Sequence, residues 1–154
     1  MGTAMFYHLT HSGPEEVLAL ILPRALAAGW RVMLRSPDPA RLDRLDARLW
    51  IEPDDSFLPH GREGTAHDAD QPVLLGQGPA VNGAQGVVLL DGAEALAGEE
   101  RLERLWVLFD GADEAAVQGA RGLWIKITGL GMAAQYWSEE TGRWVMKTEK
   151  KPAG

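Results

Sequence analysis

The residues of this chain whose types could do chemistry are four histidines, several adjacent acidic pairs and four serines. His8 and His11 are three positions apart, but His8 falls in an expected strand and His11 beyond its end. The pair therefore lacks the shared helical face that zinc enzymes use. Adjacent carboxylates diverge, and no serine has the strand–turn–helix context of a nucleophile elbow. The sequence predicts no active site and no metal site, so we expect no catalytic activity.

The first strand-to-helix turn is where an α/β protein would bind a phosphate. It reads Thr-His-Ser-Gly-Pro over residues 10–14, with one glycine and no Gly-x-Gly-x-x-Gly. Gly76-x-Gly78 follows a short expected strand but leads to another strand, so it presents no helix N-terminus to an anion. No cofactor is expected. A small nucleotide-dependent α/β enzyme with an atypical phosphate turn stays open as the alternative function.

The segment from Leu49 to His60 combines apolar rings with two prolines. Pro53 and Pro59 fix their own backbone and favour extended geometry in the residues before them, which makes the segment rigid. It is typical either of a docking edge that presents Trp50 and Phe57 or of a loop whose rings face the core. The residues alone leave both interpretations open.

A cationic and aromatic cluster falls on the last expected helix, from Asp113 to about Thr128, where Arg121, Trp124 and Lys126 lie close together in sequence. If this helix packs beside the second helix, these residues lie near Trp50 and Phe57. Apolar rings beside cations can hold the end of an acidic peptide, through burial of an apolar side chain and a charge-assisted contact with a carboxylate.

Strand and helix patterns alternate along the chain and predict a single α/β domain, a doubly wound, mostly parallel sheet of about five strands with flanking helices. Continuous apolar runs indicate buried strands; they lie at residues 4–9, 31–35, 72–75, 87–90 and 105–109. A first helix is expected from Ser12, with Glu15 in capping-box position, to Gly29. Aromatic residues on both sides of Glu140-Thr141-Gly142 indicate a C-terminal hairpin. The domain is expected to span residues 1–147, followed by a flexible tail at 148–154.

The composition and charge of the chain limit the partners that it can bind and indicate its location. The chain has 154 residues, no cysteine and a formal net charge of −7, which argues against general affinity for nucleic acid. Residues 1–114 hold 9 Lys and Arg against 19 Asp and Glu, whereas residues 115–154 hold 6 against 3. The basic C-terminal part could receive an acidic partner, or its lysines could simply be solvated. Without a signal peptide or an apolar span, a cytoplasmic location is expected.

The chain resembles the chi subunit family of bacterial DNA polymerase III holoenzyme. The likeness rests on Met5-Phe6-Tyr7-His8-Leu9, Gly29-Trp30-Arg31-Val32, Leu42-Asp43 leading to Leu49-Trp50, and Ser56-Phe57-Leu58-Pro59-His60. It implies a non-catalytic replication subunit that links the clamp loader, through the psi subunit, to single-stranded DNA-binding protein. That partner is captured by its acidic C-terminal tail, which ends in Pro-Phe.

The resemblance also implies which residues hold the tail. Trp50, Phe57 and Pro59 match the aromatic and proline part of the family's pocket, and Arg121 and Trp124 match the Arg and the aromatic residue of its last helix. The family has a Lys directly after that aromatic residue, whereas here Ile125 intervenes before Lys126. A shift of one position turns a side chain by about 100° on a helix. We therefore expect Arg121, rather than Lys126, to be the cation that binds the acidic tail.

Overall fold

A computed structural model describes residues 2–51 and 59–152, without the side chains of residues 50 and 51. Its helices are α1 (Pro14–Ala27), α2 (Pro39–Ile51) and α3 (Glu114–Gly129). Its strands are β1 (Thr3–Leu9), β2 (Val32–Arg35), β3 (His60–Arg62), β4 (Val73–Gly76), β5 (Gly86–Leu89), β6 (Arg104–Asp110), β7 (Ala133–Ser138) and β8 (Val145–Lys150). Two short 3-10 turns lie at Asp68–Asp70 and Glu99–Arg101.

The strands form one mixed sheet in the order β3-β4-β2-β5-β6-β1-β7-β8. All neighbours are parallel except β7 and β8, which form the antiparallel C-terminal hairpin that the sequence indicated. The α/β class is confirmed. The sheet has eight strands where about five were expected, because the hairpin joins it and because β3, with three residues, is too short to give a periodic signal. β8 continues to Lys150, within the expected tail.

Side chains alternate along the strands between two hydrophobic cores, one on each face of the sheet. The core on the first face joins α1 and α2 to residues such as Leu34, Val88 and Leu108. The core on the second face joins α3 to residues such as Phe6 and Val107. The sheet therefore separates α3 from α1 and α2.

This separation corrects the expectation that α3 packs beside α2. The connections through α1 and α2 run towards the β3 edge, whereas the connection through α3, from β6 to β7, runs towards the β8 edge. Crossover connections between parallel strands are right-handed, so connections that run in opposite directions place their helices on opposite faces.

Local capping fixes where the helices begin. α2 and α3 start as expected, because Asp38 accepts from the N–H of Ala40 and Asp113 accepts from the N–H of Ala115 and Ala116. The expected cap of α1 at Ser12 is wrong. Gly13 is the N-cap residue, and the carboxylate of Glu16 accepts from its N–H at 3.2 Å.

In the described part of the chain, no helix is long and apolar enough to cross a membrane.

Candidate functional site

The turn after β1 holds a carboxylate of the chain itself. Oε2 of Glu139 accepts hydrogen bonds from the N–H of Thr10 at 3.0 Å, of His11 at 3.2 Å and of Ser12 at 2.9 Å. The hydroxyl of Ser12 donates to Oε1 at 2.8 Å. Glu139 is only 4% exposed, and burial alone would raise its pKa. The four hydrogen bonds outweigh burial and lower that pKa, so the carboxylate is charged at neutral pH.

This carboxylate bears on the nucleotide alternative. β6 and β1 are neighbours whose following helices lie on opposite faces, and nucleotides bind at such a switch point in open α/β sheets. Here the N–H groups that would approach a phosphate already bind Glu139, and the negative charge repels a second anion. The cavity beside this turn, about 1000 Å³, is lined by more acidic than basic side chains. The geometry gives no support to a phosphate site.

The α3 patch, which we define as Arg121, Trp124 and Tyr136, lies between α3 and β7 on the second face. The half-buried ring of Trp124 packs on buried Phe6, with ring centroids 5.2 Å apart, and lies 6.4 Å from the ring of Tyr136. Arg121 is exposed, and among the described residues it forms no ion pair. The patch offers two aromatic rings and one cation to a partner.

Tyr136 is the member of this patch that sequence reasoning missed. Burial raises the pKa of its phenol, and the nearby Arg121 charge opposes that rise. Its hydroxyl lies 2.6 Å from Nδ1 of His8, and its ring lies 5.9 Å from that of Phe109. Phe6 pairs with Tyr136 in the β1–β7 register, which brings both rings under α3. Because a single sequence does not reveal that register, no sequence signal identified Tyr136.

Lys126 lies on another side of α3 from Arg121. It lines the cavity beside α3 together with Gly119, Gly122 and Leu123, none of which belongs to the α3 patch. Five positions on a helix correspond to about 140° of rotation, which agrees with this divergence. Ile125 lies between Arg121 and Lys126 on the outer surface of the helix and is 70% exposed. The structure therefore brings Arg121 and Trp124 together and directs Lys126 away from them.

The remaining predicted site residues belong to the segment after α2. The Trp50 side chain and Phe57 fall outside the described residues, so the docking interpretation of this segment stays a prediction. Pro59 is exposed. His60, expected in a loop, is in β3, and its buried ring contacts the carboxylate of Asp46 at 3.1 Å. α2, which precedes this segment, packs on the first face, whereas the α3 patch lies on the second face.

No group of three or more His, Asp or Glu side chains within residues 2–51 and 59–152 is arranged to hold a metal ion. Arg35 and Glu99 form a buried pair, but each is satisfied. Glu99 binds the guanidinium at 2.7 and 2.8 Å, and Arg35 also donates to the carbonyls of Gly78 and Glu94. This ion pair joins β2 to the loop before β6.

Comparisons with known proteins agree with the resemblance seen in the sequence. A family model described as DNA polymerase III chi subunit, HolC, matches residues 1–135. The DNA polymerase III subunit chi of Pseudomonas aeruginosa is 33% identical to this chain over 76 residues, which cover 47% of this chain and 52% of that relative. The chain thus spans about half the length of the curated relative that it matches.

Proposed function

Because this chain belongs to the DNA polymerase III chi subunit family, we propose that it is a non-catalytic adaptor of the replication machinery in the cytoplasm. In this role it binds the acidic C-terminal tail of single-stranded DNA-binding protein and links that protein to the clamp loader. Membership of the family makes the chain a replication accessory subunit; the tail contact and the link are the proposal.

The observation that carries the tail contact is the α3 patch. Trp124 and Tyr136 are half-buried rings held by Phe6 and His8, so they need little ordering when a partner binds. The exposed guanidinium of Arg121 lies beside them without a carboxylate partner among the described residues. Arg is suited to this task because its planar fork binds a carboxylate with two hydrogen bonds.

An acidic tail that ends in Pro-Phe matches this arrangement. Its terminal ring can pack on Trp124 and Tyr136, and its terminal or preceding carboxylates can pair with Arg121. The lysines and arginines of residues 115–154, six against three acidic residues, favour approach of a negatively charged chain to this end of a protein that is acidic as a whole.

The segment with Trp50, Phe57 and Pro59 stays part of this proposal. The resemblance to the chi family implies that its rings and its proline hold the same acidic tail together with Arg121 and Trp124. The link to the psi subunit and the clamp loader then uses another surface of the chain.

The test is a titration with a synthetic peptide whose acidic residues precede a C-terminal Pro-Phe, followed by calorimetry. We expect a dissociation constant of about micromolar order. Arg121→Ala and Trp124→Ala should each weaken binding by about tenfold or more, as loss of an anchoring Arg or Trp commonly does. Arg101→Ala, which removes another exposed cation at a distance in the fold, is the matched control.

Trp50→Ala tests the contribution of the segment after α2. It should also weaken binding of the tail peptide by about tenfold or more. Circular dichroism establishes that each variant is folded. Unchanged tail affinity in both Arg121→Ala and Trp124→Ala contradicts the proposed site, and no binding by the unaltered chain contradicts the proposed function.

A further inference from the structure

A second aromatic surface lies on the first face of the sheet, between α1 and the C-terminal hairpin. It encloses a groove of about 410 Å³, which we name the tryptophan groove. Four of the six tryptophans of the chain line it. Its lining consists of Met5, Tyr7, Val17, Leu20, Ile21, Arg24, Ala25, Ala28, Trp30, Arg104, Trp106, Trp137 and Trp144. None of the residues proposed for the tail contact belongs to it.

The rings of this groove are held in place by one another. Tyr7 and Trp144 meet edge to face with centroids 5.2 Å apart, and Trp30 and Trp106 lie 6.3 Å apart. Trp106 is buried, whereas Trp30, Trp137 and Trp144 are only partly buried. Leu20, on the rim, is 52% exposed. Apolar surface thus stays open to solvent in a rigid concave shape, which is typical of a binding groove.

The charges in the groove are all of one sign. Among the residues that the structure describes, its lining includes Arg24 and Arg104 and no Asp or Glu, although the chain holds 22 acidic residues. Neither arginine pairs with a carboxylate in the part of the chain that the structure describes. The guanidinium of Arg104 lies over the ring of Trp30 at 5.7 Å. Burial raises the pKa of Tyr7, and the nearby charges of Arg104 and Arg24 oppose that rise.

We propose that the tryptophan groove is a second docking site, for a peptide segment that carries a bulky apolar side chain flanked by carboxylates. The apolar side chain enters between Trp30, Trp137 and Trp144, and the flanking carboxylates pair with Arg24 and Arg104. Charge complementarity selects this occupant, because two guanidinium groups that have no carboxylate partner among the described residues favour an anionic chain over a neutral one.

This site is separate from the proposed tail contact. It lies on the opposite face of the sheet from the α3 patch, and the hairpin residues Trp137 and Trp144 lie beyond residue 135, where the family match ends. The hairpin is held against the body of the protein by Glu139, whose carboxylate binds the turn after β1. The hairpin side of the groove is therefore held in place and lies outside the family match.

The probe is the peptide Asp-Asp-Leu-Trp-Asp-Asp-amide with fluorescein on its N-terminal amine, which lacks the free C-terminal carboxylate of the tail. Titrations by fluorescence anisotropy use the Arg121→Ala variant, so that the α3 patch does not contribute. We expect a dissociation constant of about 100 µM or lower. The peptide with Asn in place of every Asp should bind at least about fivefold more weakly because it loses both charge-assisted contacts.

Arg24→Gln and Trp144→Ser in the same background should each weaken binding of the acidic probe about fivefold or more. Arg24 is exposed on α1 and Trp144 lies in the hairpin turn region, so neither replacement removes a core residue. In nuclear magnetic resonance spectra, the indole N–H signals of Trp30, Trp137 and Trp144 should shift on titration.

Unchanged affinity of both variants for the acidic probe, relative to Arg121→Ala alone, or signal changes confined to α3, would overturn the proposal. Concentration-dependent self-association that Trp144→Ser abolishes would also overturn it, because a second copy of the chain would then be the occupant. Loss of tail-peptide binding in Arg121→Ala with retained probe binding distinguishes this site from the one under Proposed function.

Discussion

Glu139 and Ser12 are 127 positions apart, yet the carboxylate of Glu139 accepts both the backbone N–H and the hydroxyl of Ser12. Through this contact, the end of β7 fixes the turn between β1 and α1. The same contact occupies the position where a nucleotide-binding α/β protein would hold a phosphate. The buried carboxylate of Glu139 thus anchors the C-terminal hairpin and occupies the place where a nucleotide phosphate would bind.

Replacement of Glu139 by Gln should lower the free energy of unfolding by about 1–3 kcal/mol at neutral pH. A neutral amide accepts hydrogen bonds more weakly than a carboxylate, and its NH2 group opposes the donors of the turn. Urea denaturation measures the change. Glu140→Gln is the matched control because Glu140 is exposed, and it should change stability by less than about 0.5 kcal/mol. Equal effects in the two variants would contradict the role given to Glu139.

The stability difference between the unaltered chain and Glu139→Gln should depend on pH. The pKa of Glu139 in the folded protein is below its ordinary value of 4.5, so the ionised carboxylate stabilises the fold. This stabilisation is fully present above pH 4.5 and is lost as the pH falls through the folded-state pKa. Urea denaturation from pH 7 to pH 3 should show the two proteins converging at the acidic end. A constant difference would show that Glu139 acts without its charge.

The buried pair of Arg35 and Glu99 should be costly to break on one side. Arg35→Met leaves the carboxylate of Glu99, a residue 8% exposed, without its cation, and should lower the free energy of unfolding by about 3–5 kcal/mol. The double variant Arg35→Met, Glu99→Met should recover part of this loss, since no buried charge remains. Recovery is incomplete because the carbonyl oxygens of Gly78 and Glu94 lose their donor.

A double-mutant cycle by urea denaturation measures that coupling. The control pair is Lys151 and Glu149, in which the lysine side chain is 81% exposed. Lys151→Met should cost less than about 0.5 kcal/mol, because solvent screens an exposed ion pair. A cost for Arg35→Met as small as that of the control would show that the buried pair does not hold β2 to the loop before β6.

Lys126→Ala should change the affinity of the acidic Pro-Phe peptide less than about twofold, whereas Arg121→Ala should weaken it about tenfold or more. The two cations are equal in formal charge, but Lys126 faces the cavity beside α3 and Arg121 lies at the α3 patch. Calorimetry at low and high salt should show weaker binding at high salt in the unaltered chain. Equal losses in the two variants would indicate that the peptide crosses α3 over Ile125.

The sequence predicted those elements that depend on local chemistry. α3 begins next to Asp113 as expected, since the Asp113 carboxylate needs only the N–H groups two and three positions ahead. The apolar runs of β5 and β6 indicated buried strands because both faces of these strands are covered.

Features that depend on strand order could not be predicted. The order of the elements along the chain does not tell whether the β6–β7 connection runs with or against the β1–β2 connection, and this decides the face on which α3 packs. For this reason, α3 was expected beside α2, although the two helices pack on opposite faces. The expected cap at Ser12 failed through a contact with Glu139 that no local pattern indicates. Four tryptophans far apart in sequence meet in one groove for the same reason.

The glycine at the start of β5 gives a test of how tightly the floor of the tryptophan groove is packed. A Cβ at Gly86 would overlap the six-membered ring of Trp106, which is buried and lies against Trp30. Gly86→Ala should therefore lower the free energy of unfolding by about 1–3 kcal/mol, the usual effect of overpacking a core. Gly119→Ala is the matched control, because a Cβ at Gly119 in α3 would meet open space. This same replacement in a helix should raise stability by about 0.4–1 kcal/mol. Urea denaturation monitored by tryptophan fluorescence measures both changes, and equal signs would show that the Trp106 ring is free to move away from β5.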